Sequence, residues 1–467
     1  MSGVHRLTGV IRPYAWGSRT ALAQLQGRTA PTDAPEAELW LGAHPGDPST
    51  LAGHDGPVSL AEVIAQDPKG QLGPEVAAEF GPRLPYLMKV LAAAAPLSLQ
   101  AHPDAEYARR AFAAQEADPD LPRNYTDAYH KPEMLVALTP FAALCGFRDP
   151  AVSASVLAAL DLPVLSPVIE ALRTGPPGLR DAVEILLTWP AADRPALIAS
   201  VVAATRARPR PAAPVAVSEA PTAPTSAVPS EAGSGSPAGA SDGLPAGTSD
   251  GSPTGASHGL PAGASDGFPA GASAGAELGA GGVVAAGFAL AAGLAEHYPG
   301  DPGVLVALLL NEVHLQPGEA IWMPAGNLHA YLFGTGVEIM AASDNVLRGG
   351  LTPKRVDVGE LLNVLRFEVL DDPILPATEV APGVLTWQVP VREFALHRVE
   401  LDGTRPPIVV PAAGPRIVLG TAGDVHVAGD HGTPVEVSPG TAAFVAAESG
   451  PITLAGLGQT FVASVPS

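Results

Sequence analysis

The chain of 467 residues is long enough for two or three domains and a sizeable buried core. Its formal net charge of −21 argues against general affinity for nucleic acid or anionic lipid, so we expect neither nucleic acid nor a membrane as a partner. The single cysteine, Cys145, excludes an internal disulfide and a cysteine-based zinc cage. The sequence shows no signal-peptide pattern and no long, strongly apolar run, so we expect a cytoplasmic protein.

Three kinds of segment follow one another along the chain. Short alternating or β-branched segments predict strands before residue 148, over residues 303–334 and over most of residues 384–465. Apolar residues at three- and four-residue spacing predict helices over residues 149–205 and 283–297. Residues 206–282 are rich in Pro, Ala, Gly and Ser and include five eight-residue copies, which predicts a disordered insertion because few large apolar side chains could be buried.

The most specific spacing pattern joins Gly318, Pro324, Gly326 and His329, separated by five, one and two residues. The glycines permit tight turns, and the proline starts a rigid turn into a strand from which the histidine projects inward. This pattern resembles the second motif of the cupin barrels. Taken alone, it is also compatible with a plain turn beside a buried histidine that is hydrogen-bonded.

A second segment repeats part of this pattern. Residues 437–447 resemble residues 315–325 at an offset of 122, so that Pro439 and Gly440 match Pro317 and Gly318. We infer two related barrels, although a short Pro-Gly match also arises by chance. Only the first barrel keeps the histidine, because the positions that match Pro324, Gly326 and His329 are Ala446, Glu448 and Pro451.

The predicted fold is mainly β with an inserted α domain. It consists of two cupin-like jelly-roll barrels and a helical domain that the disordered repeat insertion interrupts. The predicted divisions are a catalytic, metal-binding barrel of residues 1–148 with 300–366, a helical domain of residues 149–205 with 283–299, the insertion over residues 206–282, and a metal-free barrel over residues 367–467.

A polar stripe precedes the helical region. In a strand, Ser98, Gln100 and His102 share one face, opposite Leu97 and Leu99. Polar groups that face into a barrel must be hydrogen-bonded, paired or bound to metal, since an unsatisfied group is costly. A solvent-facing amphipathic strand is the equally plain alternative for these three residues.

A carboxylate begins another apolar run. Glu133 follows Lys131 and Pro132 and enters a strand that is otherwise apolar, where an isolated buried carboxylate requires a cation or a metal. A carboxylate exposed at the strand start is the alternative. Zinc accepts a mixed set of nitrogen and oxygen donors, and donor type alone leaves iron and manganese open. The candidate metal ligands are Gln100, His102, Glu133 and His329.

Six blocks of sequence, in order, resemble the type I mannose-6-phosphate isomerases. They are YAWGS, AELWLGAHP, LPYLMKVLAAAAPLSLQAHPD, AYHKPEMLVAL, GEAIWMPAGNLHAYL and GVEIMAASDNVLRGGLTPK. The repeat insertion departs from the family pattern. The resemblance implies one zinc ion bound by Gln100, His102, Glu133 and His329, and a catalytic arginine at Arg348.

The residues around Arg348 also suggest an anion site. An apolar stretch that ends in glycines gives way to a loop at Arg348, and Lys354 and Arg355 follow closely. Such a cationic cluster could hold a dianionic sugar phosphate, while a solvated turn is the ordinary alternative. Three of the four lysines in the chain fall within the six blocks: Lys89, Lys131 and Lys354.

The resemblance implies reversible conversion of mannose 6-phosphate to fructose 6-phosphate through an enediolate, within mannose and GDP-mannose metabolism. No organic cofactor is required, and we expect a monomer whose partner is the sugar phosphate. Glu338 is the first candidate for the base that moves the proton, and Lys131 or a zinc-bound water is the second; the sequence does not choose between them. The substrate-binding candidates are Trp16, Lys89, Ser98 and Lys354.

Several other residues are expected to be structural. Cys145 should be a buried small hydrophobe, and Tyr331 is a candidate support for the metal ligands. Two other functions stay open: a sugar-phosphate-binding cupin without turnover, and an iron cupin oxygenase, which the glutamine in the ligand set disfavours. The histidines predicted to be structural are His44, His130 and His314.

Overall fold

The computed structural model describes residues 3–53, 56–207, 279–404, 406–410, 413–430 and 432–466. The prediction of a mainly β fold with a helical region is confirmed. Most of the predicted disordered insertion, residues 208–278, lies outside the described residues. At its two ends, residues 206–207 and 280–282 are helical, so the flanking helices extend further than predicted.

The strands are numbered here in chain order. They are β1 (Val4–Thr8), β2 (Val10–Arg12), β3 (Glu38–Gly42), β4 (Thr50–Gly53), β5 (Gly56–Ser59), β6 (Tyr86–Ala93), β7 (Leu99–Ala101), β8 (Glu133–Ala137), β9 (Phe141–Phe147), β10 (Leu310–Leu315), β11 (Ala320–Met323), β12 (His329–Ala341), β13 (Leu347–Gly350), β14 (Ile374–Leu375), β15 (Thr378–Ala381), β16 (Val384–Thr386), β17 (Ala395–Asp402), β18 (Ile408–Val410), β19 (Ala413–Ala428), β20 (Val435–Val437), β21 (Ala442–Val445) and β22 (Ile452–Val465).

The helices are numbered in the same way. They are α1 (Ala21–Leu25), α2 (Leu60–Gln66), α3 (Pro68–Leu72), α4 (Pro74–Phe80), α5 (Ala105–Ala117), α6 (Pro150–Ala159), α7 (Ser166–Arg173), α8 (Gly178–Leu187), α9 (Arg194–Ala207), α10 (Ala280–His297), α11 (Gly303–Ala307) and α12 (Val358–Val364). Within the described ranges, none of them combines the length and apolar character needed to cross a bilayer.

Aspartates start the helices that border the sheets. The Asp104 carboxylate accepts from the Tyr107 N–H at the start of α5, and the Asp149 carboxylate accepts from the Ala151 N–H at the start of α6. Pro150 occupies the first turn of α6, where its missing N–H costs nothing. The chain therefore turns from strand to helix at residue 149, the position where the periodicity changes.

The first barrel is formed by β2, β3 and β6–β14. Its strands run in the order β14-β11-β8-β12-β6-β3-β2, and β7, β9, β10 and β13 pair beside this path. The long strand β12 pairs with β6 and β8 after Gly334 and with β7 and β9 before it. At Gly334 the φ angle is +117°, and an added Cβ would lie 2.7 Å from the Pro140 carbonyl oxygen. The bend therefore requires glycine, and it brings both halves of β12 around one interior.

The second barrel is formed by β15–β22 together with β1, β4 and β5. Its strands run in the order β15-β16-β17-β22-β19-β21-β1-β4-β5, and Val4 of β1 lies opposite Val445 of β21. The predicted division placed all of residues 1–148 in the first barrel. Strands β1, β4 and β5 instead pair within the sheet of the second barrel. β1 covers the backbone hydrogen-bonding edge of β21. The other boundaries of the predicted division remain a prediction.

The two barrels share the predicted offset of 122 residues. Strands β11 and β21 differ by 122 at both ends, and the turns before them place Gly318 at φ +92° and Gly440 at φ +73°. Strand β12 begins at His329 and β22 at Ile452, one residue from the same offset. This correspondence supports the inferred duplication.

Alternation along the strands separates an outer face from an interior. Leu99, Leu144 and Ala330 belong to the apolar core shared with helices α6–α11. Their neighbours in sequence, including Cys145 and Tyr331, belong to the apolar interior of the first barrel. Polar side chains on the same strand face as Tyr331 therefore point into the barrel, away from the helices.

Candidate active site

Three of the predicted metal ligands meet inside the first barrel. The ligand atoms of His102, Glu133 and His329 lie within 4.8 Å of one another, and each residue is at most 1% exposed. His102 follows β7, Glu133 begins β8 and His329 begins β12. The site thus forms where one end of each of these strands reaches the barrel interior.

Backbone carbonyls determine which ring nitrogen faces the cluster. The Nδ1 atom of His102 is 2.6 Å from the Asn345 carbonyl oxygen, and that of His329 is 3.1 Å from the Asn327 carbonyl oxygen. Because a carbonyl only accepts, each Nδ1 donates to it, and the Nε2 atom of each ring is directed toward Glu133. Those two nitrogens lie 3.3 and 3.1 Å from the Oε2 atom of Glu133.

This arrangement fits a metal ion. Two ring nitrogens and a carboxylate oxygen face one another, and a cation would satisfy all three. Zinc bonds of about 2.0–2.1 Å in tetrahedral geometry separate neighbouring ligands by about 3.3 Å, close to the two distances observed. Burial, opposed by the Glu133 carboxylate, lowers the pKa of His102 to about 4, so its ring is neutral near pH 7. The residues therefore fit zinc.

Gln100, the fourth predicted ligand, lies beside this cluster. It is opposite His329 on one neighbouring strand and opposite Arg348 on the other, so the three side chains share a face. Its amide is half-buried and has no polar partner among the described residues. Its participation as a ligand stays a prediction.

Lys131 keeps the metal-site carboxylate ionised. Its Nζ atom lies 2.9 Å from the Oε1 atom of Glu133, and both residues are buried. Burial alone would raise the pKa of Glu133, but the Lys131 ammonium and His102 outweigh it and hold that pKa well below its usual range. The carboxylate can thus pair with Lys131 through one oxygen and face the histidines through the other.

A second buried network surrounds Glu338. Its Oε1 atom accepts a hydrogen bond of 2.7 Å from the Tyr331 hydroxyl, and its Oε2 atom lies 3.1 Å from the Lys89 Nζ atom. Lys89 also lies 3.5 Å from the Oε1 atom of Glu38. Burial raises the pKa of Glu338 against the opposing effect of Lys89. For Lys89, burial favours the neutral amine, but Glu338 and Glu38 outweigh it and raise the pKa.

The two networks face the same interior. Glu338 lies opposite Leu135 and Met340 lies opposite Glu133, so Glu338 and Glu133 are diagonal neighbours on adjacent strands. Diagonal positions in an antiparallel pair are about 7–8 Å apart, which leaves room for a small ligand between the side chains. A group held at the metal site would therefore have an ionisable carboxyl within reach.

Arg348 is available to an anion. It lies on β13, is half-buried, and its guanidinium has no hydrogen-bond or ion-pair partner in the described part of the chain. Burial lowers its pKa. Because a half-buried, uncompensated guanidinium is costly, an anionic ligand would stabilise it.

Two of the three cations in the predicted cluster lie on the loop after β13. Lys354 is exposed and lines a cavity of about 630 Å³, and Arg355 pairs with Asp357 at 3.5 Å. The role of Lys354 in binding substrate stays a prediction.

Two smaller predicted contacts lie near the barrel interior. Ser98 is half-buried directly before β7, two residues before Gln100, so the two side chains lie on the same strand face. Trp16 is half-buried, stacks on Tyr14 with ring centroids 5.7 Å apart, and packs against the interior apolar cluster. Neither residue contacts the three-ligand cluster through a described hydrogen bond.

The residues predicted to be structural make structural contacts. His130 lies 2.6 Å from Glu393 of the segment before β17, and Cys145 is fully buried, which raises its pKa to about 12. His44 and His314 lie 3.5 and 3.2 Å from the carboxylates of Asp344 and Glu312.

Sequence reasoning missed two supports of the site. Glu38 lies in the apolar run ELWLG, the same signal that identified Glu133, and could have been found in that way. Asn345 was missed because its main-chain oxygen orients His102, and a backbone acceptor leaves no residue-type signal.

The chain is similar to known isomerases in sequence. The family model described as phosphomannose isomerase type I, catalytic domain, matches residues 4–150. The chain is 32% identical to the mannose-6-phosphate isomerase of Escherichia coli K12, with 98% of each chain covered. It is 30% identical to that of Homo sapiens over 86% of this chain and 83% of the human one.

Solved structures resemble the chain over its whole length. A crystal structure of a mutant phosphomannose isomerase from Salmonella typhimurium superposes with a TM-score of 0.76 at 29% identity, covering 99% of both chains. A crystal structure of mannose 6-phosphate isomerase bound with zinc and yttrium gives a TM-score of 0.75 at 29% identity, covering 99% of this chain and 100% of the other.

Proposed function

Because the chain belongs to the type I phosphomannose isomerase family and is an isomerase, we propose that it interconverts mannose 6-phosphate and fructose 6-phosphate within mannose and GDP-mannose metabolism. The observation that carries this proposal is the buried set of His102, Glu133 and His329, whose ligand atoms lie within 4.8 Å of one another. Each Nδ1 atom lies at a backbone carbonyl oxygen, so that Nε2 faces the carboxylate. Such a set fits a cation, and it lies beside a carboxyl that can move a proton.

We propose that the cation is zinc, held by His102, Glu133, His329 and Gln100. When bound, zinc supplies a Lewis acid that stabilises negative charge developing on the C1 and C2 oxygens of the sugar. A similar solved structure contains zinc, which supports this assignment. Lys131 assists by keeping Glu133 ionised.

Glu338 is the proposed base. In the reaction a proton leaves C2 for the Glu338 carboxylate and returns to C1, while the proton of the C2 hydroxyl passes to the C1 oxygen. The enediolate thus forms and collapses with no net gain of atoms or electrons. Burial raises the pKa of Glu338, which strengthens it as a base, and Tyr331 and Lys89 fix both of its oxygens. Lys131 is the weaker candidate because its ammonium is already paired with Glu133.

The substrate's negative charge is assigned to Arg348. Its unpaired guanidinium lies on the face of the metal ligands, where it can neutralise the phosphate or the developing enediolate. Trp16, Lys89, Ser98 and Lys354 remain the proposed sugar-phosphate contacts.

A coupled assay tests the proposal. Purified full-length chain with one equivalent of zinc is expected to form fructose 6-phosphate from mannose 6-phosphate, to lose activity with a chelator and to regain it with added zinc. Activity that survives complete metal removal would contradict the mechanism. Binding of mannose 6-phosphate without product would instead indicate a non-catalytic sugar-phosphate-binding protein, and iron content with dioxygen consumption would indicate an oxygenase.

A further inference from the structure

Asn345 connects two loops at the site. Its side chain is fully buried and donates from Nδ2 to the carbonyl oxygens of Asp127 and Tyr129, each at 2.8 Å. Its Oδ1 atom accepts from the N–H of Thr126 at 2.8 Å. One amide group thus binds three successive parts of the loop over residues 126–129.

The same residue orients a metal ligand through its backbone. The Asn345 carbonyl oxygen accepts from the Nδ1 atom of His102 at 2.6 Å, which directs the bare Nε2 of that ring toward Glu133. A shift of this carbonyl would therefore turn the ring or change its tautomer.

The loop held by the side chain leads to the other ligand. Residues 126–129 continue through His130 to Lys131 and then to Glu133, whose two oxygens face Lys131 and the histidines. Ser343 strengthens the connection, because its hydroxyl donates to the Asp127 carboxylate at 2.9 Å and lies 3.2 Å from the Tyr129 carbonyl oxygen.

We propose that Asn345 is a positioning residue that couples the orientation of His102 to the placement of Lys131 and Glu133. The inference rests on the proposed metal site. Asn345 touches neither metal nor substrate, and it acts by holding the loop over residues 126–129 against the carbonyl that binds His102. The consequence is that one side chain maintains the spacing of two ligands far apart in sequence.

The decisive variant is Asn345→Asp, which keeps the size of the side chain and its Oδ1 acceptor. It replaces Nδ2, which donates to two carbonyl oxygens, with an oxygen that can only accept. Zinc affinity is measured by competition with a chromogenic chelator on the full chain. We expect affinity to fall about 10–100-fold, the range for partners that orient metal ligands. The visible absorption of the cobalt-substituted variant should also change, because it reports the geometry of the ligands.

Asn311→Asp is the matched control. Asn311 also donates through Nδ2 to backbone carbonyls, with its shortest bond of 2.8 Å to Leu370, but it contacts neither loop. We expect this variant to unfold at a lower temperature and to bind zinc as the wild type does. Equal zinc affinity in Asn345→Asp and wild type would overturn the inference, as would equal losses in the two variants.

A milder variant covers the case in which Asn345→Asp fails to fold. Ser343→Ala removes the hydroxyl bonds to Asp127 and Tyr129 and the acceptor for the Asn345 backbone N–H at 3.2 Å, and it leaves the side-chain amide of Asn345 in place. Zinc affinity should fall several-fold, and an unchanged affinity would contradict the coupling. A wild-type chain that binds no zinc would overturn the proposed function itself, which separates the two failures.

Discussion

The first and second barrels share a turn but differ in what they enclose. Gly318 and Gly440 take the same left-handed conformation before corresponding strands. In the first barrel the last position of the motif is the buried His329, a proposed metal ligand, and in the second the matching position is the exposed Pro451. Backbone turns and apolar alternation therefore maintain the architecture, while a few inward-facing side chains carry the chemistry.

The two barrels also differ at a second pair of matching positions in their interiors. Glu338 has its counterpart at Thr460, and both are buried. Glu338 is fixed by Tyr331 and Lys89, whereas the Thr460 hydroxyl has no hydrogen-bond partner within the described residues. Buried ion pairs such as Glu338 with Lys89 often contribute less stability than apolar packing of the same volume. The second barrel supports the first through the His130–Glu393 contact.

Removing a metal ligand should give the largest difference between the barrels. We expect His329→Ala to lose zinc and to lower kcat/KM on the order of a thousandfold or more. Pro451→Ala, at the matching position, should leave both unchanged. Zinc content and the coupled isomerase assay check this, and full zinc in His329→Ala would remove that residue from the ligand set.

Neutralising the proposed base comes next. Glu338→Gln keeps the shape and the Tyr331 contact but cannot accept the proton, so kcat should fall by about 10²–10³ with little change in zinc content. The measurement is the steady-state assay with metal analysis. A kcat within a few-fold of wild type would transfer the role to Lys131.

The third prediction concerns how stability depends on pH through two buried histidines, His102 in the first barrel and His397 in the second. Burial lowers the pKa of His102 to about 4, against about 6.5 in the unfolded chain, and it also lowers the pKa of His397 in the second barrel. As the pH falls, the histidines are therefore protonated in the unfolded state before they are protonated in the folded state. His102 alone should lower the free energy of unfolding of the metal-free protein by about 3 kcal/mol between about pH 6.5 and 4.

Denaturant unfolding of the metal-free chain at several pH values measures this slope. His102→Asn should flatten it, and His397→Asn should flatten it independently because the two sites lie in different barrels. A profile that stays equally steep in His102→Asn would contradict the assigned cause.

The smallest effect is expected at Thr460. Thr460→Val replaces an unpartnered buried hydroxyl with a methyl group of similar size, so the free energy of unfolding should rise by about 1 kcal/mol. Activity should not change, because Thr460 lies outside the cluster of His102, Glu133 and His329. Denaturant unfolding gives the value, and a destabilised variant would show that the hydroxyl is satisfied in solution.

The sequence was most informative where residue type conflicts with its surroundings. His329 follows from the glycine and proline spacing, and Glu133 from a carboxylate at the start of an apolar run. The partnership of Glu338 with Lys89 needed the register of β12 against β6, which no local pattern gives. Glu38 carried the same signal as Glu133 and was overlooked.

Partner choice between strands was the part that the sequence could not provide. A strand pattern in residues 4–8 predicts extended backbone but not that its neighbour lies at residues 442–445. The ion pair of Arg355 with Asp357 lies in a loop, which has no periodicity to read. Long-range pairing and loop paths are set by the whole fold.

Strand β1 pairs with β21 although more than 430 residues separate them. During synthesis the first strand emerges from the ribosome long before its partner exists, so the sheet of the second barrel cannot close until residues 442–445 have been made. A gene fragment that ends after the first barrel would leave this strand with an open edge, and one that starts at residue 367 would lack it. Neither fragment alone therefore encodes the complete sheet of the second barrel.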